Sequence, residues 1–63
     1  MGGTAVDRVH IFRSGTTWCY SAWVRGEYDH SDTLDADCED LARLEVLAHY
    51  PQATVHRVAD MVD

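Results

Sequence analysis

Two short glycine-containing segments constrain how this chain can fold more than any other feature. Ser14-Gly15-Thr16 and Arg25-Gly26 separate segments in which apolar and polar residues alternate. Glycine adopts the positive φ angles that tight hairpins need, and alternation with a period of two is typical of half-buried strands. The sequence therefore predicts an antiparallel meander of three strands, over residues 6–13, 17–24 and 27–31.

The same alternation predicts which side chains share a face of the sheet, because successive residues of a strand point to opposite sides. One group should pack against the rest of the fold: Val9, Ile11, Trp18, Tyr20, Ala22 and Val24. The other should form the open face: Arg8, His10, Phe12, Cys19, Trp23 and Arg25. A single helix can cover only one face, so we expect the second group to stay uncovered.

The composition changes at Asp32 in a way that indicates a helix. Thr33 is the predicted N-cap and Pro51 the stop, so the helix should run from Leu34 to His49. Apolar residues recur there at helical spacing, namely Cys38, Leu41, Leu44, Leu47 and Ala48. We expect Leu41, Leu44 and Ala48 to face the sheet.

Residues 53–58 are predicted to form a last strand, because they are rich in β-branched residues and follow the helix stop. Val55, Val58, Ala59 and Val62 also fit a helical pattern, which leaves a helix as the alternative. If the terminal strands pair, His10 and His56 become cross-strand neighbours, but the favoured interpretation is that both are exposed strand residues. The order β-β-β-α-β predicts a small single-domain α+β fold over residues 1–63, an antiparallel sheet packed against one helix, with flexible ends at residues 1–5 and 59–63.

Length and charge exclude several classes of function. A chain of 63 residues is long enough for only one small domain, which rules out a multidomain enzyme. Such a chain buries only about 60% of the surface that it exposes when unfolded, so we expect a marginal core. Five arginines and no lysine stand against eleven acidic residues, for a net charge of −6. Direct nucleic-acid binding needs several basic contacts and is disfavoured. Neither a membrane span nor a secretory signal is visible in the sequence, so we expect a cytoplasmic protein without membrane contact. The cytoplasm keeps thiols reduced, so we expect Cys19 and Cys38 to be small buried thiols.

The most conspicuous charge feature is an acidic run that begins at Asp32, and its other members, Asp35, Asp37, Glu39 and Asp40, are predicted partner contacts. Acidic side chains at a helix N-terminus complement the helix dipole and keep a small protein soluble. The functional interpretation is an anionic surface that binds a basic or nucleic-acid-binding protein. Both interpretations stay open.

Catalytic and metal sites find little support in the sequence. Neither a glycine-rich phosphate loop nor a nucleophile-elbow motif is present. Cys19, His30, Cys38 and His49 are zinc-ligand types, but zinc motifs pair ligands at much shorter spacing. We therefore predict no catalytic residue, no cofactor and no metal.

The open face carries the strongest functional argument. Arg8, Phe12, Trp23 and Arg25 combine aromatic and arginine side chains, the composition of interface hot spots. Such a face can also self-associate into a homodimer or stack nucleic-acid bases. A register shift at a bulge, or a last segment folded over this side, would remove it.

The segment Ser31-Asp32-Thr33-Leu34-Asp35, with the predicted element order, resembles the small HicB-type antitoxins, which have three strands, a helix and a strand and a Gly-Asp-Thr-Leu-like segment before the helix. This sequence lacks that glycine, the proline-rich motif of the second strand and a separate DNA-binding domain. The resemblance implies an antitoxin, or another regulator of a nucleic-acid enzyme, as the alternative function.

The main functional expectation is a small, acidic, non-catalytic interaction protein. The scarcity of residues with A/T-rich codons, among them lysine and asparagine, points to a GC-rich, actinobacterial source. The concrete prediction is a phage- or mobile-element-encoded modulator that binds and occludes a host protein.

Overall fold

A four-stranded sheet with one helix on one face makes up the computed structural model, which describes residues 5–58. The elements are β1 (Arg8–Ser14), β2 (Thr17–Val24), β3 (Glu27–Thr33), α1 (Glu39–His49) and β4 (Thr54–Arg57). The strands lie in the order β3-β2-β1-β4. This arrangement confirms the predicted small α+β fold. The flexible ends that the sequence predicts lie almost entirely in residues 1–4 and 59–63, outside the described residues.

The sheet is mixed, which corrects the expectation of a wholly antiparallel one. β1 and β3 each pair antiparallel with β2, as predicted, but β4 pairs parallel with β1. The reason is the crossover: α1 carries the chain back across the sheet, so β4 enters in the same direction as β3 and therefore as β1. The last segment is a strand, and the helical alternative for it is wrong over Thr54–Arg57.

Both predicted hairpins close with two-residue loops. Ser14 pairs with Thr17 around Gly15, whose φ is 65°. Val24 pairs with Glu27 around Arg25 and Gly26, whose φ angles are 52° and 81°. Two consecutive positive φ angles define the primed turn that matches the twist of the flanking strands. Gly26 meets this requirement without strain, and Arg25 does not.

The core lies between the helix and the face of β1 and β2 that alternation predicted. Val9, Ile11 and Ala22 are fully buried there, and Trp18 is nearly so. The buried cluster is completed from the rest of the chain by Leu34, Ala42, Val46 and Ala53. The predicted assignment of the β1 and β2 faces is therefore confirmed at these positions.

The helix begins later than the sequence suggested. Its N-cap is Cys38, an exposed residue that makes no side-chain capping bond, and not Thr33. Leu34 is buried in the core, and its backbone N–H donates to the Trp18 carbonyl at 2.7 Å. This bond continues the β2–β3 pairing and keeps the chain extended where a helix was expected. The exposed Cys38 also contradicts the expectation that both thiols are buried.

The helix packs on the sheet through a different face from the predicted one. Ala42 and Val46 are buried, whereas Leu41 is 48% and Leu44 is 63% exposed, and Ala48 is exposed as well. The sheet contributes bulky side chains to the core, and Leu34 fills space beside the helix, so small residues fit at the contact. The expectation that Leu41, Leu44 and Ala48 face the sheet is therefore wrong. Within residues 5–58, no helix has both the length and the apolar character needed to cross a membrane.

Candidate interaction surfaces

Four rings cross the sheet on the face opposite α1, one from each strand. Tyr28 of β3 lies 5.7 Å from Trp23 of β2, between ring centroids. Trp23 lies 5.4 Å from His10 of β1, and His10 lies 5.9 Å from His56 of β4. We call these four residues the aromatic row. Among the described residues, no element covers it, because the one helix packs on the other side.

Strand register explains how the row forms. Trp23 is paired with Arg8, and its ring reaches His10 diagonally along the neighbouring strand. The parallel register of β4 places His56 directly opposite His10. These two histidines are thus cross-strand neighbours, the arrangement that the sequence left as the less favoured alternative.

A β-bulge in β3 places Tyr28 at the end of the row. Ala22 pairs with His30 and Trp23 pairs with Tyr28, so Asp29 is an extra residue on β3. A bulge changes the direction of the side chains beside it, and here it puts Tyr28 next to Trp23. Sequence reasoning missed Tyr28, because alternation carries no signal for a bulge that falls within a polar strand.

Two hydroxyl contacts hold the Tyr28 end of the row. The Tyr28 hydroxyl lies 2.7 Å from Ser31 Oγ, which in turn lies 3.0 Å from Ser21 Oγ. Tyr28 is nevertheless 56% exposed. The ring is therefore oriented before any partner arrives, while most of its apolar surface stays open to solvent.

The indole N–H of Trp23 is the one buried side-chain donor among the described residues that has no hydrogen-bond partner. A buried donor left unpaired costs about 1–3 kcal/mol. The ring itself is only partly buried. Core packing alone therefore does not explain why Trp23 occupies this position.

Of the other predicted contact residues, Arg8 and Phe12 share the face with Trp23. Phe12 is half-buried and pairs with Cys19, a free thiol. Arg25 lies in the β2–β3 turn, where its backbone N–H donates to the Asp7 carboxylate at 3.2 Å. It lines a shallow cleft of about 320 Å³ together with Tyr28. The structure therefore places Arg25 at the corner of the face and not within it.

The charge state of His10 keeps the centre of the row apolar. Burial lowers the pKa of the His10 imidazole from its usual 6.5, and the nearby Arg8 and His56 lower it further. A lowered pKa means that His10 is neutral at pH 7. The His10 imidazole therefore adds no charge to the centre of the row, and the cationic Arg8 lies beside it.

The predicted acidic residues separate into two groups. Asp35, Asp37 and Asp40 are exposed. Glu39 is half-buried, and its carboxylate oxygens lie 2.9 Å from Arg43 Nη2 and 3.3 Å from Arg57 Nε. Glu39 thus joins the start of α1 to β4, and only the other three acids are available to a partner.

A carboxylate, an imidazole and two phenols form a chain on the helix side of the sheet. His30 Nδ1 lies 2.5 Å from Asp29 Oδ2, and His30 Nε2 lies 3.1 Å from the Tyr50 hydroxyl and 3.4 Å from the Tyr20 hydroxyl. Burial and the hydrogen bond with Tyr50 raise the pKa of Tyr20 to about 12. A phenol that holds its proton so firmly is a poor nucleophile. The chain of contacts ties β3 to Tyr50, the C-cap of α1.

Metal ligation has no cluster to support it in the described part of the chain. Within residues 5–58, no three His, Cys, Asp or Glu side chains stand close enough together to hold an ion. Cys19 and Cys38 are both free thiols.

Comparison of the chain with protein-family models, curated proteins and solved structures gives no match.

Proposed function

We propose that the chain is a non-catalytic interaction protein that binds a partner protein through the open face of its sheet and occludes the partner's own site. The observation that carries this proposal is the aromatic row, which is centred on Trp23 and crosses all four strands without a covering element among residues 5–58. In the concrete form, a phage or mobile element encodes the chain and the partner is a host protein.

The energetic argument rests on rigid aromatic side chains. Trp, Tyr and Arg are the residues enriched in interface hot spots, and each aromatic ring has few rotatable bonds to immobilise. The row stands on paired strands, and its Tyr28 end is held by hydroxyl contacts. Little conformational entropy is lost when such a surface binds, so buried area is converted efficiently into affinity.

Charge indicates the kind of partner. Residues 1–31 are balanced, with three arginines and three acids, whereas residues 32–49 carry six acids and one arginine. The negative field therefore comes from the second half of the chain. It favours a partner with a basic surface, such as a nucleic-acid-binding protein, and raises the rate of encounter with it.

The test compares retention of a host protein by three immobilised baits: the unaltered chain, Trp23→Ala, and Gln52→Ala as a control. Gln52 is exposed in the α1–β4 connection. We expect one protein to be retained by the unaltered chain and the control, and its purified form to bind Trp23→Ala at least about tenfold more weakly. Equal affinity for a folded Trp23→Ala chain would rule out the sheet face as the binding surface.

Two other uses of the row give different results in solution. A homodimer through this face would show as a doubled mass in light scattering that Trp23→Ala abolishes. A base-stacking sheet would bind single-stranded RNA with an affinity that falls steeply with salt. Either result would replace a partner protein as the occupant of the row.

A second candidate is a regulator of a nucleic-acid enzyme, of the kind that the HicB resemblance implies. It is supported by the element order and by the segment 31–35, in which Leu34 enters the core. An antitoxin should restore growth when it is co-expressed with the toxin encoded beside it. Unrestored growth, with both proteins present, would exclude this candidate.

A further inference from the structure

The outward face of α1 exposes two large aliphatic side chains. Leu41 and Leu44 are, with Tyr28, the exposed large apolar residues of the described chain. Ala48 lies on the same face one turn further on and is also exposed. We call Leu41, Leu44 and Ala48 the leucine stripe. It lies on the helix layer and is thus separated from the aromatic row by the thickness of the fold.

The spacing of the stripe is that of a helix-pairing seam. Its members are three and four residues apart, which corresponds to successive a, d and a positions of a heptad. The residues that hold α1 on the sheet, Ala42 and Val46, lie on the other side of the helix. α1 therefore has two apolar stripes, and within residues 5–58 only the one with the smaller side chains is buried.

Acidic residues border the leucine stripe on both sides. At 100° per residue, Asp40 falls on one side of the stripe and Glu45 on the other. The helix contains one arginine and no lysine. That arginine, Arg43, turns toward β4, where it donates to the Val55 carbonyl at 3.2 Å and to Glu39 at 2.9 Å. The border of the stripe is consequently anionic.

The negative charge of this border determines which kind of partner fits the leucine stripe. A second copy would place its own Asp40 and Glu45 beside the same two acids, and like charges at the flanks of a seam oppose pairing. A helix with its own apolar seam and Lys or Arg at the flanks would instead meet leucines at its centre and carboxylates at its edges. Helix-in-groove recognition commonly uses such spaced anchors.

We propose that the leucine stripe docks a basic amphipathic helix of a partner protein. From Leu41 to Ala48 the leucine stripe extends about 10 Å along α1, so the contact covers about two turns. An interface of this length belongs to the small, transient class. This docking surface is separate from the sheet face and does not depend on what binds there.

The test uses three labelled synthetic peptides of about 18 residues, long enough for helix formation. One has leucines at its a and d positions with lysines and arginines at the flanks. The second keeps the leucines and has glutamates at the flanks. The third contains the residues of the first in scrambled order. Fluorescence anisotropy measures the binding of each to the full chain at physiological ionic strength.

We expect the basic seam peptide to bind saturably, and the acidic and scrambled peptides to bind at least about tenfold more weakly. Leu44→Asn should weaken binding of the first peptide by a similar factor. Gln52→Ala is the control, since Gln52 is exposed and lies outside both the leucine stripe and the aromatic row, and the affinity of this variant for the first peptide should be unchanged. Circular-dichroism melting checks that each variant folds.

Two results would overturn the proposal. Equal binding of the scrambled peptide, unaffected by Leu44→Asn, would mean that charge alone attracts the peptide. A dimer of the unaltered chain that Leu44→Asn converts to monomer would mean that a second copy occupies the stripe. Neither result bears on the sheet face, whose test depends on Trp23.

Discussion

His10 and His56 face each other edge to face across the parallel β1–β4 pair, with ring centroids 5.9 Å apart. The lowered pKa of His10 is caused first by burial and then by Arg8 and His56. Below pH 6.5 the unfolded chain takes up a proton that the folded chain resists, so this contribution to stability is present above pH 6.5 and is lost as the pH falls through the folded pKa.

NMR titration of the imidazole protons should therefore show a His10 midpoint below 6.5. In His56→Gln the electrostatic effect of His56 on His10 is removed, and the His10 pKa should rise while staying below its usual value because burial persists. A His10 midpoint above 6.5 in the unaltered chain would contradict a neutral His10 at the centre of the row.

Trp23→Phe should separate the unpaired indole N–H from the ring contacts of the row. Phenylalanine keeps an aromatic ring beside His10 and Tyr28 and removes the unpaired donor, so the free energy of unfolding should be unchanged or raised by up to about 1 kcal/mol. Trp23→Ala loses both ring contacts and should lower it by about 1–3 kcal/mol. Urea denaturation measures both. A large loss in Trp23→Phe would show that the indole N–H is satisfied.

Truncation to alanine of the smaller side chain, Val46, should lower the free energy of unfolding more than truncation of the larger one, Leu44. Val46 is 1% exposed, and its truncation should lower the free energy of unfolding by about 1–3 kcal/mol. Leu44 faces outward, and its truncation should change the free energy by no more than about 0.5 kcal/mol. Paired denaturant titrations check this. The reverse order would mean that the helix packs through the leucine stripe.

Arg25→Asn should stabilise the second hairpin. Arg25 has a φ of 52°, a region that asparagine tolerates better than arginine, and the backbone bond to Asp7 is kept. We expect the free energy of unfolding to rise by about 1 kcal/mol. Thr16→Asn, at a turn position without a positive φ, is the control and should give no gain. Similar gains at both positions would point to another cause.

Alkaline pH should destabilise the fold through Tyr20. Its phenol has a pKa of about 12 in the folded chain against 10.0 ordinarily. The unfolded chain therefore loses this proton first, and stability declines as the pH rises from about 10 toward 12. Tyr20→Phe should make the decline shallower, as followed by circular dichroism. An equally steep decline in that variant would assign the effect to other groups.

The sequence predicts the strands and their faces well because a single alternation governs them. Val9 and Ile11 have only one side on which they can be buried, and Gly15 and Gly26 leave few other hairpin positions. The packing face of the helix is harder to predict, because the helix carries two apolar stripes. Leu41 and Leu44 outweigh Ala42 and Val46 in hydrophobicity, but the inward face is chosen by the space that Trp18 and Leu34 leave.

The start of the helix and the aromatic row depend on contacts distant in sequence. Leu34 fits a helical pattern locally, but its bond to the Trp18 carbonyl on β2 and its burial in the core hold it extended. Tyr28 joins the row only because Asp29 is an extra residue opposite Trp23. The local sequence pattern contains neither piece of information. Alternation could therefore place three predicted contact residues on one face, namely Arg8, Phe12 and Trp23, but it missed Tyr28.

The position of β4 beside β1 also sets the order in which the chain can become stable. Among the strands of residues 5–58, β1 is synthesised first and β4 last, so β1 has an unpaired edge while the intervening strands and helix are made. Pairing of such distant segments is slow, and exposed strand edges are prone to aggregate. The yield of folded protein therefore depends on how soon β4 is made, or on another occupant of the β1 edge during synthesis. These factors matter as much as the final stability.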